Sequence, residues 1–359
     1  MKIGIIGAGQ LGRMLALAGY PLGQRFVFVD ADPDAPGAQV GRMIHGRFDD
    51  PAALAALAAS VDVVTFDVEN VPQAAAEAVA DKVPFFPQPA ALGAGQDRLE
   101  EKRLFNALGI PTAPFAAVDS QQSLLRAVEQ IGLPAILKTR RLGYDGRGQR
   151  RIRTEADLDG AFDALGGAPA ILEGYVDFER ELSLIGVRGR DGAAAYWPLA
   201  ENVHVDGILR QTRAPWEDGA VQAIAERHLD ALLGHFDYVG VLTVEFFQAG
   251  GMLLANEMAP RVHNSGHWTI EGAVTSQFEN HIRAILGLPL GSTAAVGHAG
   301  MVNFIGRLPP LAEALEIEGA HYHDYGKSAR PNRKLGHGTV VRGTAAERDA
   351  ALQRLCRLA

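Results

Sequence analysis

The chain has 359 residues, 34 basic against 42 acidic side chains for a formal net charge of −8, 47% apolar residues and one cysteine. At about 150 residues per domain this predicts two to three globular domains, and the lone Cys356 excludes a disulfide framework, a cysteine-rich zinc site and a dithiol redox pair, which fits a reducing cytoplasm. Net negative charge argues against nucleic acid as the partner, and no run approaches the roughly 18 uncharged apolar residues of a membrane span.

The opening residues, Met1-Lys2-Ile3-Gly4-Ile5-Ile6-Gly7, are expected to enter the fold directly, because Arg13 interrupts any signal-like apolar region. Strands at 2–7, 25–30 and 61–66 alternate with helices near 10–19, 51–59 and 71–80, the rhythm of parallel strands joined by crossover helices. Between the first strand and helix stands Gly7-Ala8-Gly9-Gln10-Leu11-Gly12, and Asp30 ends the next strand. This is a dinucleotide-binding pattern, in which glycines admit a phosphate to a helix N-terminus and the acid holds a ribose. The plainer alternative is that the glycines only permit a tight turn. Pro84, Pro87 and Pro89 then break the rhythm, and a helix near 97–108 ends at Gly109-Ile110-Pro111.

From 112 to 173 the order is β-α-β-β-α-β, with helices at 120–131 and 155–165 and strands at 135–139, 149–153 and 170–173. Lys138 lies on one strand, and Gly143-Tyr144-Asp145-Gly146-Arg147-Gly148-Gln149 joins it to the next. Such a loop can fold its amides over phosphates beside a lysine point charge, although no Walker A motif occurs. By composition alone, a mobile hairpin turn explains it as well.

Extended runs follow at 181–187, 193–199, 239–247 and 252–260, with a helix near 221–235 and further strands at 301–305 and 337–341. A hairpin centred on Gly251 sets Glu245 opposite Glu257, with Cβ atoms about 5 Å apart, where like charges repel unless a cation sits between them. Mg²⁺, which takes one or two protein carboxylates and completes its shell with phosphates and water, fits that need. A bulge that turned the two glutamates to different faces would remove it. Next comes Arg261-Val262-His263-Asn264-Ser265-Gly266-His267, an arginine and two histidines beside the carboxylate pair, suited to an anionic substrate. Lys327, Arg330, Arg333, Lys334 and His337 concentrate positive charge in an acidic chain, as a solvated loop would also do.

These motifs, with Glu173-Gly174-Tyr175-Val176 after a strand, occur in an order that resembles the ATP-grasp superfamily, in which a small β-α-β-β-α-β domain and a larger one clamp ATP. Gly9–Leu15, Gln96-Asp97-Arg98, the 143–149 loop, Arg261–Thr269 and Arg330–His337 are similar, more narrowly, to the N5-carboxyaminoimidazole ribonucleotide synthetase family. The resemblance implies an α/β and α+β chain with an ATP-grasp fold: an N-terminal Rossmann-like domain at 1–103, a small lid at 104–173 and a large domain with a C-terminal part at 174–359.

It implies that Arg98, Lys138, Gly143, Tyr144, Asp145, Gly146, Arg147, Gly148, Gln149, Glu173, Gly174, Tyr175, Val176, Glu181, His204, Asn256 and Glu257 contact ATP, and that Glu245 and Glu257 hold Mg²⁺. Glu173 and Val176 would hold adenine through the strand-end backbone. Tyr144, Asp145, Arg147, Arg261, His263 and Lys334 would carry the chemistry, with Gln10, Leu11, Glu69, Asn70, Asn264, Lys327 and Arg333 around the aminoimidazole ribonucleotide. Asp67 stands where the family more often has glutamate. The implied partners are ATP, bicarbonate, the ribonucleotide and a second copy of the chain as a homodimer. A formate- or amino-acid-dependent ligase of the same superfamily, an NAD-dependent oxidoreductase and a non-catalytic nucleotide-binding module are the rival readings.

Overall fold

The computed structural model describes residues 1–143 and 148–359, arranged around three sheets. The first is parallel, ordered β3-β2-β1-β4, from β1 (Lys2–Ile6), β2 (Arg25–Asp30), β3 (Arg42–His45) and β4 (Val63–Phe66). Its inner strands are almost entirely buried, as parallel strands covered on both faces must be. The crossover helices are α1 (Gln10–Gly19), α2 (Pro51–Ala58) and α3 (Gln73–Ala80). The proline-rich stretch, expected to break the pattern, instead starts α4 (Pro89–Gly95), because proline at the first helical position gives up an N–H that has no partner there anyway. Leu11, Met14 and Leu15 of α1 share one core with residues of the third sheet, so the N-terminal layer is packed onto the rest.

Helix α5 (Arg98–Ala107), capped by the Asp97 carboxylate, leads into the second sheet. This holds β5 (Phe115–Val118), α6 (Gln121–Ile131), β6 (Ala135–Thr139), β7 (Gln149–Ile152), α7 (Ala161–Ala164) and β8 (Ala170–Gly174), strand order β5-β8-β6-β7, all antiparallel. The expected β-α-β-β-α-β order is present, but the helix expected at 155–165 is a 3₁₀ turn at Glu155–Leu158 and the four-residue α7, separated at Gly160 with φ +62.

The third sheet runs β14-β13-β9-β11-β12-β15-β17-β16, with β10 on β9. Its strands are β9 (Arg180–Arg188), β10 (Ala194–Tyr196), β11 (Ala200–Val205), β12 (Ile208–Ala214), β13 (Gly240–Ala249), β14 (Met252–Ala259), β15 (His298–Ile305), β16 (Ala320–Asp324) and β17 (Lys334–Arg342). The helices are α8 (Gly219–His235), α9 (Thr269–Gly272), α10 (Gln277–Leu286), α11 (Leu311–Leu315) and α12 (Ala345–Leu358). Of the strand expected at 193–199 only β10 forms, ending before Pro198, which has no N–H to continue a ladder, and β11 starts beyond it as an unexpected strand. Because β15, β16 and β17 extend the same sheet, the basic segment before β17 is anchored to the sheet that carries the β13–β14 hairpin.

Candidate active site

The glycine turn at 7–12 is filled by the chain itself. Gly7 has φ +95, and a Cβ there would lie 1.8 Å from Asp67 Oδ1; added at Gly9 or Gly12 it would lie 3.0 Å from Asp67 Oδ2. Gly12 N–H donates to Asp67 Oδ2 at 3.1 Å, and Asp30, the residue expected to hold a ribose, accepts from Ala8 N–H at 2.9 Å. The anion position of the turn therefore holds a protein carboxylate in place of a pyrophosphate, which removes the dinucleotide reading. Burial pushes the Asp67 carboxyl up to about 6, against the pull of the Gly12 and Gly9 N–H groups.

Around α5 a charged cluster joins the second sheet to the third. Asp97 takes Arg140 in a two-point pair, 2.9 and 2.8 Å, and Arg141 at 3.1 Å, fixing the chain just before the glycine-rich loop. Arg98 donates to the Gly143 carbonyl at 3.1 Å and lies 3.7 Å from Glu257. Tyr144, Asp145, Gly146 and Arg147 lie outside the described residues. Gly148 follows with φ +69, and Gln149 pairs with Lys138 across β6 and β7.

Lys138 Nζ donates to Glu173 Oε2 at 3.0 Å, and the buried Lys102 approaches the same oxygen at 3.5 Å. Burial alone would raise the Glu173 carboxyl, but Lys138, Lys102 and Arg98 hold it at about 2. The N–H groups of Gly174 and Tyr175 go to the Pro114 and Pro134 carbonyls as β8 ends, just before Val176. Sequence reading overlooked Lys102 and Glu101, whose carboxylate accepts from Met258 N–H at 2.7 Å and is pushed up to about 8, first by burial and then by Glu257. Their spacing was the available signal: Arg98, Glu101 and Lys102 at i, i+3 and i+4 put three charges on one helix face.

Glu245 does stand opposite Glu257, but not by the expected route. The turn is the two-residue Gly250-Gly251, φ +56 and +77, with Ala249 against Met252. That register alone would offset the glutamates, and a bulge at Asn256 restores their opposition. The bulge weighed as an objection is thus what aligns the pair. Glu245 is 14% exposed and Glu257 46%. Burial, then Glu257 and Glu181, push the Glu245 carboxyl up to about 7, against His204 and Lys334. Glu181, His204, Glu245 and Asn256 line one recess, and His204 Nδ1 lies 2.5 Å from Glu181 Oε2, which raises the imidazole despite its burial.

Directly after β14, Arg261 pairs with Glu69 at 2.6 Å, and His263 Nε2 lies 3.7 Å from Glu245 Oε1. Burial, then Arg261 and Lys334, keep His263 well below the usual histidine range. Gln10 accepts from the Lys327 ammonium, Asn264 exchanges two amide bonds with Asn303, and Arg333 donates to Ser328. Asn70 is exposed, whereas the Leu11 side chain is core, so only its backbone can face a ligand. Behind His263 the structure stacks His323 on His337, centroids 4.3 Å apart, with His267 4.8 Å from His337 and Glu271 bound to His323 at 2.7 Å. No helix among the described residues is long and apolar enough to cross a membrane.

Two faces therefore meet at Glu245: a lid and hairpin with lysines and carboxylates, and a segment of arginine, histidine and lysine. Family models match in three segments: a ribonucleotide synthetase preATP-grasp domain over residues 1–96, an ATP-grasp domain over 103–278 and a phosphoribosylaminoimidazole carboxylase C-terminal domain over 299–351. Fold and site make this an ATP-grasp protein with an N-terminal preATP-grasp domain. Over 340 residues the chain is 53% identical to the N5-carboxyaminoimidazole ribonucleotide synthase of Pseudomonas aeruginosa, covering 95% of this chain and 94% of that one. It is 54% identical to the crystal structure of the corresponding synthetase from Thermus thermophilus, with a TM-score of 0.95 and coverage of 99% and 98%. An Aspergillus clavatus synthase solved with ADP and 5-aminoimidazole ribonucleotide is 34% identical, TM-score 0.92, over 99% and 98% of the two chains. The chain belongs to the N5-carboxyaminoimidazole ribonucleotide synthase family, whose members are ATP-dependent ligases.

Proposed function

We propose that the chain carboxylates the exocyclic amine of 5-aminoimidazole ribonucleotide with bicarbonate and ATP. The observation that carries this reading is the approach of His263 to Glu245 at 3.7 Å, which joins the nucleotide-side carboxylates to the substrate-side cations in one place. A bicarbonate oxygen attacks the γ-phosphorus, the bond to ADP breaks, and carboxyphosphate forms. The amine nitrogen then attacks its carbonyl carbon, phosphate leaves, and the amine gives up a proton.

Each group has a part in this. Lys138, Arg98 and the 143–149 loop would bind the phosphates, with the Glu173 and Val176 backbone at the adenine end, Glu181 at the ribose, and Gly174, Tyr175 and His204 as further nucleotide contacts. Glu245 and Glu257 fit Mg²⁺: two opposed carboxylates, one raised by its enclosure and its neighbour, need a shared cation. Among the described residues no group of three or more His, Cys, Asp or Glu could hold a metal ion, so the remaining ligands would come from phosphate and water. When bound, that ion withdraws negative charge from the phosphates. His263, 3.7 Å from Glu245, would face the reacting groups, while Arg261 and Lys334 attract anionic groups. Carboxyphosphate hydrolyses readily, so the lid must exclude water during the second step.

The same reading divides the chain at 103 and 173 and expects a homodimer, which sedimentation velocity tests. The decisive assay is ADP release with and without bicarbonate and the ribonucleotide. Full release requires all three substrates; release independent of the ribonucleotide overturns the reading.

A further inference from the structure

Lys102 is the most buried cation among the described residues, 1% exposed, and the expected ATP contacts do not include it. It lies on α5 one turn after Arg98, with Nζ 3.2 Å from the Ala255 carbonyl and 3.5 Å from Glu173 Oε2. Lys138 reaches that same oxygen at 3.0 Å. One ammonium would satisfy the carboxylate, and burying a second carries a desolvation cost that an apolar side chain of similar size would not. Burial lowers the Lys102 ammonium, while Glu173, and after it Glu101 and Glu257, hold it up, so the enclosing carboxylates are what keep a charge there.

The two lysines and Glu173 together carry one net positive charge. Their exposures place it: the Lys138 side chain is 14% exposed, against 2% for Lys102 and 5% for Glu173. Lys102 compensates Glu173 from the closed side, and Lys138 faces the open one. We propose that Lys102 is a positioning residue for the nucleotide: by neutralising Glu173, it leaves the charge of Lys138 available to a nucleoside phosphate. Without it, Lys138 and Glu173 form a neutral enclosed pair, and a phosphate has to compete with a carboxylate for the ammonium. This rests on the ATP-grasp reading of Lys138.

The test is calorimetric titration with ADP and Mg²⁺ on the full chain, alongside steady-state kinetics. Lys102→Met weakens ADP binding about tenfold and raises the KM for ATP similarly, while the KM for the ribonucleotide at saturating ATP stays unchanged. Lys102→Met combined with Glu173→Gln recovers most of the lost ADP affinity, since no carboxylate then competes for Lys138. A structural role predicts no such recovery, so equal weakness of the single and double variants overturns the proposal, as does unchanged binding by the single one. If Lys102→Met fails to fold, Lys102→Gln, which retains a donor for the Ala255 carbonyl, serves with the same criteria. Failure of the unmodified protein to bind ADP would instead overturn the nucleotide reading, and this inference with it.

Discussion

Asp67→Asn tests the finding that a carboxylate fills the glycine turn. The folded protein pushes this carboxyl from 3.8 up to about 6, chiefly by burial. A difference of about two pH units corresponds to about 3 kcal/mol of linkage between protonation and folding. Since the folded value is the higher, the folded state holds the proton more tightly. The stabilising contribution is full below about pH 4, declines as pH rises to about 6 and is then lost. Asparagine cannot titrate, so it lacks this dependence. It presents one acceptor oxygen to the Gly9 and Gly12 N–H groups, and one unsatisfied buried donor costs about 1–3 kcal/mol at any pH. At neutral pH that loss roughly offsets the relief from burying a charge. Urea unfolding followed by circular dichroism, at several values between about pH 4.5 and 7.5, should show the unmodified protein's advantage over Asp67→Asn shrinking by about 2 kcal/mol as pH rises. Glu101 and Glu245 titrate in both proteins and cancel in the difference. A gap that is constant with pH, or that widens as pH rises, would refute the reasoning.

Glu257→Gln, which removes half of the opposed pair from a side chain 46% exposed, should lower turnover by roughly 100-fold or more with an unchanged thermal melt; near-normal activity at low Mg²⁺ defeats the paired-carboxylate account. Lys138→Met should raise the KM for ATP by about tenfold or more and slow phosphoryl transfer, and an unchanged ATP dependence would return this lysine to a partner of Glu173 alone. Lys334→Ala should raise the KM for the ribonucleotide by about tenfold or more while barely affecting that for ATP, and a nucleoside lacking the 5′-phosphate should be a poor substrate; equal effects on both substrates make the segment a solvated charged loop.

Much of this protein is legible in its sequence because the signals are local. Alternating β-branched residues and alanine-rich stretches mark the N-terminal strands and helices, and α1 starts and ends at the expected residues, because a glycine turn and a strand period are properties of neighbours along the chain. The order of lysine, glycine loop and glutamates carried the family resemblance. Short elements such as β3 and α4 lacked enough periodicity to stand out. Tertiary structure decided the rest. Whether the glycine turn receives a phosphate or a carboxylate depends on Asp67, 55 positions beyond Gly12. The glutamates oppose each other through a bulge at Asn256 that no residue type announces. Lys102 reads as an ordinary helix-surface lysine until α5 packs on β14 and β5 and buries it beside Glu173. Sequence determines what the backbone does within a few residues, whereas the charge, burial and partner of a side chain are set by which distant segment folds against it.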